Sequence, residues 1–496
     1  MVKIFINQNI EKAVNNMFAM NSKYIRLFFS ANLYFLLILC IPLKACERKE
    51  VKLKQQSIIL QHFDGDSIKV SANKNYKKNK VHNFLFGKHH RDLWAQPVTV
   101  EVFDINKERG GYKILKKGGS LQTLNLRLLN SDGKEYVLRT VDKDHSKVLP
   151  RLLRPTFLSP IFQDQTSALN PYASLIIPPL AEAAGLYHTN PKLYYVPYDT
   201  SFGTYIKEFA GRLVIVEEHP GDTWAGEEKF GMPDDIVGTD DFLEARYQDQ
   251  SVRVDRLFYA KNRLFDILIG DWDRHTDQWK WGKKQLTNGE IFYWPIPRDR
   301  DMAFYKFDDG FLTFLALYFN PKFQTFHYDV QNVRGIIKNA YYLDRRILPT
   351  ITREEWQQIA LELQTGITDS AINYAVKQWP KEIYNMIGKE TAAKLKTRRA
   401  QLPQIAMELH NIINEHPIIT GTDKSEYIEV VRKPKETIVS VYEDDSKEVV
   451  MYQTSFENNL TKDIEIWALG GADEIFVTGE AKKGILIKIY GGEGYD

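Results

Sequence analysis

The sequence predicts an α+β chain: a β-rich segment, then a helical one, then a second, smaller β-rich segment. Three observations carry this. From about residue 99 to 145, runs rich in β-branched and aromatic residues (PVTVEVFDI, TLNLRLL, EYVLRTV) alternate with glycine turns. From 330 to 415 apolar residues recur at helical spacing, with a capping-box signature at Thr352–Glu355. After 417 short strand-like runs return as YIEVVRK, TIVSVYE, EVVMYQT, DIEIWAL, EIFVTG and ILIKIYGG.

Taken in order, the chain begins with a targeting segment. Lys23 and Arg26 precede an apolar run, Phe28 to Leu43, that ends in Leu43-Lys44-Ala45-Cys46. Its sixteen residues suit a signal-peptide core and are short for a membrane span. The ending resembles a bacterial lipoprotein processing site, which implies Cys46 as the lipidated first residue of an exported, membrane-anchored cell-envelope protein. Lys44 departs from the strict pattern, and the alternative is an uncleaved N-terminal anchor. Cys40 and Cys46 are the only cysteines, so the body after 46 holds no disulfide, thiolate nucleophile or Cys-type zinc site.

Five parts follow from composition and pattern: a leader over 1–46, a lysine-rich extension over 47–98, a β-rich lobe over 99–240, a helical lobe over 241–416, and an accessory β-domain over 417–496. At 496 residues the chain accommodates two or three domains. Its 43% hydrophobic and 26% charged residues are ordinary for a folded protein. A net charge of +2, with no helix-turn-helix, zinc-finger or RNA-stacking motif, argues against a nucleic-acid partner.

The chemistry concentrates in GDWDRHTDQWKW, Gly270 to Trp281, and PIPRDRD, Pro295 to Asp301. Five carboxylates lie there among aromatic residues, and such crowding is tolerated when the charges are solvated, paired or gathered around a metal. Residues 252–269 read as an amphipathic helix ended by Gly270. Residues 279–282 and 291–296 read as strands folded back at Asn288-Gly289. That hairpin sets Asp273, Gln278 and Asp299 at one end, a metal and acid–base constellation. The structural alternative is an ion-pair network in which Arg274 and His275 neutralise neighbouring carboxylates.

This order of helix, acidic loop, hairpin and acidic loop resembles the catalytic core of atypical protein-kinase-like folds of the HipA, CotH and Golgi secretory-pathway kinase type. The resemblance implies a two-lobed kinase-like fold followed by a small C-terminal β-domain. It implies Asp273 as the catalytic-loop Asp, flanked by Arg274 and His275, and Asp299 as a metal Asp with Asp301 its rival. Where the family carries Asn five positions after the catalytic Asp, this chain has Gln278. The same resemblance asks for a small-residue turn and a cation to approach phosphates. Gly118, Gly119 and Ser120 are the candidates for the turn, Arg139 or Lys143 for the cation. Glu182 is the candidate helix-borne partner of that cation. The run RLVIVEE stands where a hinge would lie, with Glu217 and Glu218 either touching a nucleotide or simply solvated. No G-x-G-x-x-G or Walker A pattern occurs.

Other chemistries lack their residues. Metallophosphoesterases use G-D-x-x-D, one residue longer than GDWD, and no G-N-H-[DE] follows. G-x-S-x-G and H-E-x-x-H are absent. GGADEIF and GGEGYD resemble Gly-Asp calcium-binding β-roll turns, but two loose copies are read as plain turns. Two expectations remain: an atypical kinase that uses Mg²⁺ (or Mn²⁺) and ATP to phosphorylate an unknown acceptor, or a catalytically inactive kinase-like binding module at the envelope.

Overall fold

A computed structural model describes residues 2–5, 65–118, 123–156 and 158–494. Its architecture is the expected α+β: a β-sheet region, a helical middle and small C-terminal sheets. Cys46, Gly119 and Ser120 lie outside the described residues.

A seven-stranded sheet forms the first lobe, in the order Ser67–Ser71, Pro97–Val102, Lys192–Tyr195, Leu213–Glu218, Glu135–Thr140, Asn125–Asn130 and Tyr112–Gly118. All neighbours are antiparallel except the parallel pair Pro97–Val102 and Lys192–Tyr195. The hairpin predicted around Asp132-Gly133 is present, with Asn125 opposite Arg139. The lobe starts earlier than the boundary at 99. Ser67–Ser71 is an edge strand of the same sheet, and Arg91 holds Asp164 bidentately at 2.7 and 2.6 Å. The described part of the lysine-rich extension, from residue 65, is therefore built into the lobe.

The helical middle centres on Arg256–Ile269, a helix buried along most of its length. It is shorter than the predicted 252–269. Val252–Val254 instead pairs in parallel with Ile291–Pro297, and the Asp255 carboxylate accepts the Phe258 N–H at 2.8 Å as the cap. β-branched residues at 252 and 254 gain more from a sheet edge than from an extra helical turn. Gly270 closes the helix in the left-handed conformation (φ 74°), a position that favours glycine. The hairpin follows as Trp279–Gln285 and Ile291–Pro297, with Trp279 opposite Pro297. Downstream, Arg353–Gly366 opens with the predicted box: the Glu355 N–H donates to Thr352 Oγ1 at 3.1 Å, and the Thr352 N–H to Glu355 Oε2 at 2.8 Å. Leu402–Asn414 packs on this helix.

The C-terminal region has its own apolar core, including Ile428, Val430, Ile464, Ile466 and Ile487. One sheet orders Val450–Glu457, Glu436–Tyr442, Tyr427–Arg432 and Glu474–Gly479; the other orders Val2–Phe5, Leu486–Tyr490, Asp463–Trp467 and Ile418–Thr420. Asp463–Trp467 and Leu486–Tyr490 run parallel, so the two glycine turns stack through Gly470 opposite Glu493. Expected as plain turns, they form successive coils of one parallel stack. Among the described residues no group of three or more His, Cys, Asp or Glu could hold a metal ion, and no helix is long and apolar enough to cross a membrane.

Candidate active site

One buried carboxylate organises both acidic loops. Asp266, on the central helix, receives Arg263 Nη1 at 3.0 Å, Arg274 Nε at 3.2 Å and Arg300 Nε at 2.9 Å. Burial would raise its pKa, but Arg274, Arg300 and Arg263 together hold it below the usual carboxylate range. Arg274 also donates to the carbonyls of Arg298 (2.6 Å) and Gln278 (3.0 Å). Arg300 reaches Asn262 Oδ1 at 2.9 Å. Loop 270–278 and loop 298–301 are thus tied to each other and to one helix.

This corrects the expected place of Arg274. It is 1% exposed and turned inward against the Trp279 ring, where it positions the loops rather than facing the cleft. His275 is half-exposed, 4.0 Å from the Asp277 carboxylate. The Gln278 side chain lies 3.4 Å from the His275 ring instead of against Asp299, although its backbone carbonyl accepts the Arg298 N–H at 3.0 Å, as the hairpin register required.

Across from these loops stands the sheet lobe, and here ion pairs bring the predicted residues together. Arg139 Nη1 contacts Asp299 Oδ2 at 2.7 Å, and its other nitrogen meets Glu217 on the neighbouring strand. Lys143 Nζ contacts Asp301 Oδ2 at 2.7 Å. They line a cavity of about 40 Å³ with Trp94, Thr123 and Asn170. Thr123 stands at the tip of the hairpin whose other strand ends at Gly118, opposite Asn125. Glu182 is elsewhere: exposed on the short helix Ile177–Ala183, it meets neither cation, and Glu217 and Asp301 take the place expected for it.

The electrostatics follow from this crowding. Burial opposes ionisation of Asp299, yet Arg139, Lys143 and Arg298 hold it well below its ordinary pKa. Asp301 is pushed up, by burial and by Asp299 beside it. Lys143 is raised by Asp301 and Asp299 against its own burial. Asp299 also sits in the left-handed backbone region (φ 56°), strained for a residue with a side chain. Its Oδ1 is buried without a hydrogen-bond partner. An orphaned carboxylate oxygen beside a second carboxylate fits a hard divalent cation. Mg²⁺ is usually held by one or two carboxylates plus substrate phosphates rather than by an all-protein cage.

Asp273 faces a third group that local spacing gave no means of finding. Asn339 Nδ2 donates to Asp273 Oδ1 at 2.7 Å from 66 residues downstream, and Lys322 Nζ donates to Asn339 Oδ1 at 3.2 Å. Lys322 lies over the Trp272 ring at 4.8 Å, and burial lowers its pKa although Asp273 opposes the shift. Asp271, two residues before Asp273, is raised to about 7 by burial, with Arg274 opposing and Asp266 reinforcing the shift. It accepts the Asp273 N–H at 3.1 Å and so fixes the loop.

No protein-family model matches the chain, and no curated protein matches it. Among solved structures it has a remote likeness to the Helicobacter pylori proinflammatory kinase CtkA, at 12% identity and a TM-score of 0.31, over 61% of this chain and 95% of that one.

Proposed function

We propose that the chain is an atypical kinase-like phosphotransferase, using a Mg²⁺- or Mn²⁺-bound nucleotide such as ATP to phosphorylate an acceptor hydroxyl. The observation that carries this reading is the pairing of the two acidic-loop carboxylates, Asp299 and Asp301, with the sheet-lobe cations Arg139 and Lys143. Opposite charges held in this way can exchange partners: carboxylates to a metal, cations to phosphate oxygens.

Asp299 and Asp301 would hold the metal, which supplies neutralisation of charge on the β- and γ-phosphate oxygens. Arg139 and Lys143 would take phosphate oxygens and keep the chain aligned. Asp273, oriented by Asn339 and backed by Lys322, would accept the proton of the acceptor hydroxyl. The hydroxyl oxygen bonds to the γ-phosphorus as that phosphorus releases its bridging oxygen, and the nucleoside diphosphate departs with the electron pair. Positioning and electrostatics supply most of the rate in such a transfer.

A second reading, an inactive kinase-like envelope module, draws on the small cleft, about 40 Å³, in which cations and carboxylates already neutralise one another. Calorimetric titration of Mg·ATP, and separately Mn·ATP, into the full chain separates the two. Metal-dependent binding that Asp299→Ala abolishes and Asp273→Ala retains is the expected result. Binding with neither metal would remove the enzyme reading.

We also place the chain at the cell envelope, anchored through a lipid on Cys46; the apolar run before that cysteine supports this. Processing there would remove Val2–Phe5 and leave Leu486–Tyr490 as a sheet edge. Mass spectrometry of the membrane fraction tests it, and a chain that retains residues 1–45 would refute it.

A further inference from the structure

A second cavity, larger than that of the cleft, lies apart from it. It encloses about 150 Å³ where the helical middle meets the C-terminal β-domain. The two bodies are joined around it: the Asp423 N–H donates to the Tyr247 carbonyl at 2.6 Å, and Gln250 Nε2 to Glu426 Oε1 at 2.9 Å.

Four guanidinium groups line it: Arg246, Arg253, Arg256 and Arg346. Two have carboxylate partners, Arg253 with Glu290 at 2.9 Å and Arg256 with Glu355 at 3.5 Å. The other two form no ion pair among the described residues. Arg246 donates to the Arg346 carbonyl at 3.1 Å. Arg346 donates to the Tyr342 carbonyl at 2.9 Å and stacks over that ring at 3.8 Å. Asp249, the one acidic residue in the lining, is exposed, and its carboxylate is engaged by the Ser251 N–H at 2.8 Å.

Two further donors are stranded in the same wall. Tyr452 Oη and Thr350 Oγ1 are buried with no protein hydrogen-bond partner. Burial raises the Tyr452 pKa, so its hydroxyl stays protonated although Arg246 and Arg256 oppose the shift. Burial likewise lowers the Arg246 pKa, and the like charge of Arg346 beside it adds to the shift. Buried polar groups in native proteins are ordinarily satisfied, and a wall of unmatched donors is a wall that lacks its acceptor.

We propose that this cavity is a binding site for a phosphate-type dianion, carried by inorganic phosphate or by a phosphorylated side chain. Two uncompensated guanidinium groups match a charge of about −2, which a phosphomonoester carries near neutral pH. Guanidinium and hydroxyl donors around a small space suit its tetrahedral oxygens, and a monocarboxylate offers half the charge and fewer acceptors. The space is well below the 300–1,000 Å³ or so of pockets for larger organic ligands. An anion seated there bridges helical middle and β-domain.

The test is calorimetric titration of the full chain with inorganic phosphate, with a phosphoserine peptide and its unphosphorylated twin, and with acetate. Saturable binding of phosphate or of the phosphopeptide is expected; whichever binds identifies the source. Arg246→Ala should weaken it about 10- to 100-fold, as loss of a charge-assisted contact does. Tyr452→Phe, which removes an unpartnered hydroxyl at nearly constant volume, should weaken it several-fold and folds if the wild type does. Weakening by Lys143→Ala would instead assign the signal to the cleft and overturn the proposal. Absence of binding by both phosphate forms, binding unaffected by Arg246→Ala and Tyr452→Phe, or acetate binding equally well overturns the proposal.

Discussion

Asp266→Ala is the substitution whose consequence the structure defines most fully. The carboxylate is fully buried and shared by three guanidinium groups at 2.9–3.2 Å. Arg263 retains Asp344 at 2.9 Å and Arg274 retains two carbonyls. Arg300 retains only Asn262 as a hydrogen-bond acceptor among the described residues, and its charge loses its ion-pair partner. Removing one partner of a buried pair typically costs about 3–5 kcal/mol. Against a total stability of roughly 5–15 kcal/mol, that is a large fraction. Urea unfolding followed by tryptophan fluorescence should show the midpoint falling accordingly, since Trp279 stacks under Arg274 and Trp272 lies in the same loop. The double variant Asp266→Ala/Arg300→Met should recover about 1–2 kcal/mol, because the stranded cation is gone. A loss below about 1 kcal/mol in the single variant, or no recovery in the double, would refute the view that unmatched charge dominates.

Other consequences follow from the cleft. Lys322→Met should lower turnover about 10- to 100-fold while nucleotide affinity from calorimetry stays constant, since Lys322 stands on the Asp273 side and not on the Asp299 side. Glu217→Gln should alter Mg·ATP affinity by releasing Arg139, whereas Glu182→Gln should leave it unchanged; equal effects would contradict the placement of both. Asp271, raised to about 7 in the folded chain, contributes stability that is full below about pH 4 and lost as pH rises through 7. Between pH 5 and 8 the wild type should therefore lose about 2 kcal/mol more than Asp271→Asn, read from urea midpoints at the two pH values. An identical pH dependence would place Asp271 in a more polar setting.

Much of the architecture was legible in the sequence because it rests on local chemistry. Asn288-Gly289 turns the hairpin, Gly270 ends a helix in a conformation that suits glycine, and Thr352 with Glu355 caps another. Alternating β-branched residues mark the strands on both sides of the helical middle. The crowding of Asp273, Asp299 and Asp301 also announced that these charges need partners.

Which partners they have is a matter of tertiary structure. Arg139 and Lys143 reach Asp299 and Asp301 only because one sheet strand is docked over a hairpin more than a hundred residues away. Asn339 finds Asp273 across 66 residues, while Glu182, of the right chemistry, is carried to the surface by its helix. Arg274 stands beside Asp273 in the motif and is turned inward in the fold, because Asp266 lies beneath it. Periodicity, capping and turn preference act between residues a few positions apart, so the sequence itself determines the elements and where charge collects. Ion pairs form between whatever the packed elements bring within about 4 Å, and only the assembled fold decides that.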